Sequence, residues 1–154
     1  LESADVMYLD GTTMPLSNEE MQFSYRHSRF TSERGVVLAA TFRLTGDAPE
    51  AIRARMDDLI GRRKEKQPLE YPSAGSTFKR PEGYFAGALI EQNNLKGVSV
   101  GGAQVSQKHA GFVINTGSAT CKDVLALIEK IKDTVKQADG VELEPEVIFV
   151  GRKQ

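Results

Sequence analysis

Between Lys66 and Pro81 the chain reads K-Q-P-L-E-Y-P-S-A-G-S-T-F-K-R-P, and no other stretch constrains its path so tightly. Pro68, Pro72 and Pro81 fix their own φ and push the residues before them into extended conformations. Gly75 permits a bend directly before Ser76. The stretch therefore reads as an ordered loop. It holds Lys66, Lys79 and Arg80 around a serine hydroxyl, a composition that suits an anionic ligand. A proline-rich connector with ordinary surface lysines has the same composition, and composition does not separate the two.

At 154 residues the chain is long enough for one good core, or for one domain and part of another. A hydrophobic share of 40%, a charged share of 27% and a net charge of −1 describe an ordinary globular protein. They leave no electrostatic footprint for nucleic acid or a membrane surface. No apolar run approaches the roughly 20 residues that span a bilayer. No basic and then apolar opening marks a secretion signal either, so the expected compartment is the cytoplasm. Cys121 alone excludes an internal disulfide and a cysteine metal cluster. His27 and His109 are too few for a histidine-rich site, so no metal is expected. The chain begins on Leu1 inside what reads as structured sequence, and a fragment of a longer protein is expected.

Val6 to Leu9, followed by Asp10-Gly11, predicts a hairpin. Ser17 and Glu20 fit a capping box, which predicts a short helix through about Phe23. Val36 to Leu44, opened by Gly35, reads as a buried strand. After a boundary at Thr45-Gly46-Asp47, a second capping box (Asp47, Glu50) and Pro49 start a helix. Its stripe of Ile52, Met56, Leu59 and Ile60 should be buried. Arg62, Arg63, Lys64 and Lys66 suit the negative end of that helix, and a solvated helix end accounts for the first three.

Tyr84 to Gln92 reads as a short helix ended by Asn93-Asn94, and Val98 to Val105 as a strand bent tightly at Gly101-Gly102. Phe112 to Asn115 is a further strand. Thr120 caps a last helix with Val124, Ile128, Ile131 and Val135 on its apolar face and Gly140 as its stop. Val147 to Val150, apolar on both faces, has the mark of a central strand. Helices and strands in this order make an α+β fold without internal repeats.

Three features could carry chemistry. Ser76 is no nucleophile elbow, because Thr77 and Phe78 follow it, but a serine held in place can still donate a proton. Glu146 follows Pro145 at the mouth of the terminal apolar run, where desolvation would favour its protonated form. One solvated face of Glu142, Glu144 and Glu146 explains the same residues. In Y-R-H-S-R-F, residues 25–30, an arginine could hold a carboxylate through two parallel hydrogen bonds; packing within a surface loop is the alternative. Gly101-Gly102 is a turn or bulge, since the chain carries neither G-x-G-x-x-G nor a Walker sequence. His109 reads as leading into a strand rather than as a base, and Cys121 has no partner for redox work.

Five runs taken together resemble the bacterial UDP-N-acetylenolpyruvoylglucosamine reductase (MurB) family. They are P-S-A-G-S-T-F-K-R-P at 72–81, Y-R-H-S-R-F at 25–30, L-K-G-V-S-V-G-G-A-Q-V-S at 95–106, H-A-G-F-V-I-N at 109–115 and L-E-P-E-V at 143–147. The resemblance covers nearly all of residues 1–151. It implies a flavoenzyme of cell-wall biogenesis, on which cell shape and division depend. In it NADPH reduces bound FAD, and hydride then passes to an enolpyruvyl double bond to give UDP-N-acetylmuramate.

Carried over by position, the resemblance makes Ser76 the proton donor to carbon. Glu146 stabilises or protonates the enol, and Arg26 polarises the substrate carboxylate and lies at the cofactor. It also implies substrate contacts at Tyr25, Lys66 and Arg80, with Lys66 meeting a phosphate of substrate or of NADPH and Arg80 the diphosphate. By the same resemblance, residues 1–45 end an FAD-binding domain. Residues 46–154 then form a substrate-binding domain with a mixed or antiparallel sheet and two main helices.

Two departures stand out. The family's glycine-rich region for the FAD pyrophosphate has no counterpart, so the implied partner is a missing N-terminal flavin-binding region of the same enzyme. The isolated chain should bind FAD poorly and be inactive. The span from Phe30 to Ser76 also leaves no room for the inserted tyrosine loop of the family's longer form, which implies the shorter type. The alternative from another class is a non-catalytic nucleotide-sugar-binding domain.

Overall fold

A computed structural model describes residues 1–151 and divides the chain into two compact units, Leu1–Ile52 and a second beginning at Arg53. In the first unit β1 (Ser3–Tyr8) and β2 (Thr13–Ser17) make the predicted antiparallel hairpin. The Asp10 carboxylate accepts the Thr12 N–H at 2.9 Å and closes the turn. Strand β3 (Gly35–Thr41) lies on the other side of β1, giving the order β2-β1-β3 with a bulge after Asp5. The core here is small: Ala4, Val6, Leu16 and Met21 are buried, with Leu1, Tyr8 and Phe30 packed against them.

Two expectations fail in this unit. The Ser17 capping box forms: Ser17 N–H donates to Glu20 Oε2 at 2.8 Å, and Glu20 N–H to Ser17 Oγ at 3.2 Å. No helix follows it. Gln22 adopts φ +52, which ends the turn before a second can stack on it. The strand predicted over Val36–Leu44 also forms only as far as Thr41, and it is not buried; Val36, Val37, Leu38 and Phe42 are at least half exposed. As an edge strand it has β1 on one side, and nothing within the unit covers its apolar side chains.

Helix α1 (Pro49–Lys66) carries the chain from the first unit into the second. It runs as predicted, yet none of its residues is buried, and Ile52, Met56, Leu59 and Ile60 stay exposed along one stripe. The helical period is right, and the surface it should pack on is absent from its surroundings.

The second unit is built on a four-stranded antiparallel sheet. Its strands are β4 (Ser73–Ser76), β5 (Ser99–Val100), β6 (Ala103–Val105) and β7 (Phe112–Asn115), in the order β4-β7-β6-β5. Helices α2 (Ala86–Gln92) and α3 (Cys121–Asp139) close one core with it. Leu127, Ile128, Ile131 and Val135 of α3 are buried, while Val124, expected on that face, sits at its margin. Thr120 caps α3: its Oγ1 accepts the Asp123 N–H at 3.2 Å, and Asp123 Oδ2 accepts the Thr120 N–H at 2.9 Å. Gly140 ends the helix as predicted.

The Gly101-Gly102 bend links β5 and β6 into a hairpin pressed against the start of α3. A Cβ on Gly102 would lie 2.3 Å from the Ala119 nitrogen, so only glycine fits there. The antiparallel sheet and the helices beside it bear out the α+β expectation. The last predicted strand is a correction. Among the described residues Val147–Val150 belongs to no strand, because the chain leaves its only ladder at Glu146.

Candidate functional site

Ser76 ends β4 at a bulge: Ser73 pairs with Ile114 and Ser76 with Phe112, so β4 carries one residue more than β7 between the two pairs. Gly75 takes φ +83 inside this bulge, a conformation that other residues rarely adopt. The predicted loop is thus a short bulged strand, and Ser76 is exposed at its end.

Thr77 fixes what lies on either side. Its N–H donates to Gly111 O at 2.8 Å, its Oγ1 accepts the Val113 N–H at 3.1 Å, and its carbonyl accepts the Glu146 N–H at 2.9 Å. An isolated bridge between Phe78 and Pro145 and a bond from Lys79 N–H to Glu144 O at 2.8 Å complete this short ladder. Ser76 and Glu146 are therefore brought onto neighbouring, aligned backbones. Glu146 is exposed, not desolvated as its place before an apolar run suggested, because that run is not buried. Its neighbour Glu144 pairs with Lys79 at the surface.

Sequence reasoning passed over Thr77, and its signal was faint: a hydroxyl residue between Ser76 and the apolar Phe78. Thr77 and Ser106 are the buried polar residues among those described. Ser106 Oγ accepts the N–H groups of Lys108 and His109 at 3.1 and 3.3 Å. His109 is a structural residue as expected: Nδ1 accepts the Gly111 N–H at 3.1 Å and the ring meets Phe112 at 4.9 Å. Thr77 thereby satisfies an amide within β7, the strand against which Ser76 is set, and Ser106 satisfies two in the turn that leads into it.

The remaining candidates are held in different ways. Lys66 is the last residue of α1 and is exposed. The turn after it is anchored by the fully buried Pro68 and by Lys108, whose Nζ donates to Lys64 O at 2.8 Å and lies 3.5 Å from Glu70. Arg80 stacks on Phe85 with its guanidinium carbon 3.9 Å from the ring centre, and its Nε donates to Tyr84 O at 3.3 Å. Stacking of this kind orders a planar cation without neutralising it.

Tyr25 and Arg26 belong to the first unit and form the tip of a tight turn, closed by Ser24 N–H to His27 O at 3.1 Å and His27 N–H to Ser24 O at 3.2 Å. Arg26 adopts φ +55 and lies 5.7 Å over the Tyr25 ring, which is 75% exposed.

These residues do not by themselves make a seat for a dinucleotide such as FAD. The first unit's glycines are Gly11, Gly35 and Gly46, too far apart for a cradle of consecutive amides. The space above Gly35 is filled by Phe30, whose Cε1 would lie 2.7 Å from an added Cβ.

An antiparallel sheet backed by one long helix, with Ser76 at the end of β4 and Glu146 on the segment bonded to Thr77 beside it, defines an α+β domain whose polar groups gather at the β4 edge. The chain belongs to the UDP-N-acetylenolpyruvoylglucosamine reductase family: residues 67–150 match the family's C-terminal domain. It is 58% identical over 153 residues to the UDP-N-acetylenolpyruvoylglucosamine reductase of Clostridium novyi, covering 99% of this chain and 50% of that protein. To the reductase of Caldanaerobacter subterraneus subsp. tengcongensis it is 54% identical, covering 99% and 51%. The crystal structure of UDP-N-acetylenolpyruvylglucosamine reductase (MurB) from Thermus caldophilus superposes with a TM-score of 0.77 at 36% identity, covering 95% of this chain and 52% of that one. The chain spans about half the length of the curated relatives it matches.

Proposed function

We propose that this chain is the substrate-side part of an FAD-dependent enzyme that uses NADPH to reduce UDP-N-acetylglucosamine enolpyruvate to UDP-N-acetylmuramate. The step serves peptidoglycan precursor synthesis in the cytoplasm. One observation carries the reading: Thr77 ties the strand of Ser76 to the backbone of Glu146 at 2.9 Å, in a chain that matches half of each curated reductase. In this reading residues 1–45 end the flavin-binding domain, 46–154 form the substrate domain, and the partner is the remaining half of the same protein.

When bound, FAD reduced by NADPH supplies the hydride. Addition of hydride to one carbon of the enolpyruvyl double bond leaves the other electron-rich, and that carbon needs one proton. Ser76 Oγ–H donates it, and solvent at the exposed β4 edge restores the hydroxyl proton. Serine is a weak acid in water, so the bulge at Gly75 and the anchor at Thr77 must supply the positioning. Glu146 stabilises the enol form before protonation. Arg26 is assigned the substrate carboxylate, where negative charge develops, and a place beside the flavin. Lys66 is assigned a phosphate of substrate or of NADPH, Arg80 the diphosphate, and Tyr25 a contact with substrate.

The test uses the full-length protein in stopped flow. Ser76→Ala should spare flavin reduction by NADPH and slow flavin reoxidation by the enolpyruvyl substrate by about 10²–10⁴-fold. Equal loss in both half-reactions removes Ser76 from the acid role. Binding of UDP-sugar by a protein that shows neither half-reaction would favour a nucleotide-sugar-binding module instead.

A further inference from the structure

Among the described residues the apolar run Val147–Val150 belongs to no sheet. Val147, Ile148, Phe149 and Val150 are β-branched or aromatic at every position, the composition of a strand covered on both faces. Glu146 still bonds to Thr77, and beyond it the chain belongs to no strand as far as Val150. Val147 packs against the core, and Val147, Ile148 and Phe149 all border a groove of about 430 Å³ with Ala74, Ile114 and Ile128. Ile148 and Val150 are nonetheless 87% and 95% exposed. One side of the run thus has a floor, while most of the surface of Ile148 and Val150 is open.

We propose that Val147–Val150 is a β-strand contributed to a sheet whose other strands lie in the half of the longer protein that this chain does not span. The inference rests on the reading of the chain as one part of a larger reductase. The matched relatives hold about as much chain again, and the Thermus caldophilus structure keeps this fold inside a chain about twice as long. A second copy is the poorer occupant. Four residues supply a small fraction of the roughly 800 Å² per partner that a stable interface buries. A half joined covalently to this one pays no such association cost, because its effective concentration is set by the linkage. The strand would also grip Glu146 from the side opposite Thr77, joining the absent half to the candidate site.

Native-state hydrogen exchange on the full-length protein tests this. Amides 148–150 should exchange at least about 100-fold more slowly than in an unstructured chain, at a rate independent of protein concentration. Exchange at unstructured rates overturns the strand. Protection that vanishes on dilution assigns the run to a second copy and also overturns it. The double variant Ile148→Asp, Val150→Asp should lower the melting temperature of the full-length protein, and an unchanged value counts against the proposal. The functional reading fails separately. A wild-type protein that protects the run yet leaves the enolpyruvyl substrate unreduced sinks that reading and keeps the strand.

Discussion

The first unit closes its core with four buried hydrophobic residues, Ala4, Val6, Leu16 and Met21, whereas the second closes its own with fourteen. In the second unit the apolar face of α3 finds β5, β6 and α2, and nearly every local signal is answered by a partner. In the first, β3 forms with the right residues and stays exposed along its length. The same kind of sequence therefore ends in two outcomes, and what separates them is whether the covering element is present. A sheet of three short strands with one uncovered edge is marginal in water, while four strands backed by a long helix are not.

Separating the two units should produce the largest effect. A polypeptide of residues 53–154 should unfold in one cooperative step by circular dichroism and give dispersed amide resonances. Residues 1–52 alone should show no cooperative transition, because so few buried side chains do not offset the entropy of ordering that length of chain. A sharp transition in the shorter piece would remove the contrast between the units.

Next in size are substitutions within each unit. Ile131→Ala empties a fully buried site in the second core and should cost about 2–5 kcal/mol in urea denaturation. Leu38→Ala on β3 should cost less than about 0.5 kcal/mol in this chain, since that side chain is already half exposed. In the full-length protein the Leu38 figure should rise well above that. If it does not, the apolar face of β3 is not an interface.

Much of the second unit was legible from local chemistry. Thr120, Gly140 and the apolar stripe between them mark α3 at both ends, and Asp10-Gly11 marks the first hairpin. The misses share one physical cause. Val36–Leu44, the stripe of α1 and Val147–Val150 all carry patterns of buried segments; the structure leaves the first two exposed, and of the third only Val147 reaches the core. Periodicity reports that a face needs cover; it does not say which chain provides it. The candidate site was legible in part. Ser76 and Glu146 stood out from their local context and took their roles from motif resemblance, whereas their alignment through Thr77 depends on a bulge and a buried hydroxyl that no spacing rule exposes. Ser17–Glu20 failed for another reason: a capping box satisfies the first amides of a helix but does not extend it past Gln22, whose φ is +52.

Those two capping boxes give the smallest and sharpest contrast between the units. Thr120→Ala should cost about 1 kcal/mol, because it uncaps a helix whose buried face anchors the core, and Ser17→Ala about half that or less, because it loosens one turn. The acid limb separates the same pair. The Thr120 backbone N–H, then its hydroxyl, hold the Asp123 carboxyl below its usual value; the Ser17 N–H and hydroxyl do the same for Glu20.

For a carboxyl depressed in the folded state, the stabilisation is fully present above the unfolded-state pKa. It is lost as pH falls through the lower folded value, because the unfolded chain takes up protons first. Both contributions should therefore be whole at pH 6 and fade below the ordinary carboxylate range near pH 4. Asp123→Asn should flatten the decline of the second unit's stability on acidification, read as urea midpoints across that range. Glu20→Gln should leave the second unit's midpoints where they were. If Glu20→Gln shifts them as much as Asp123→Asn does, the two units do not unfold independently.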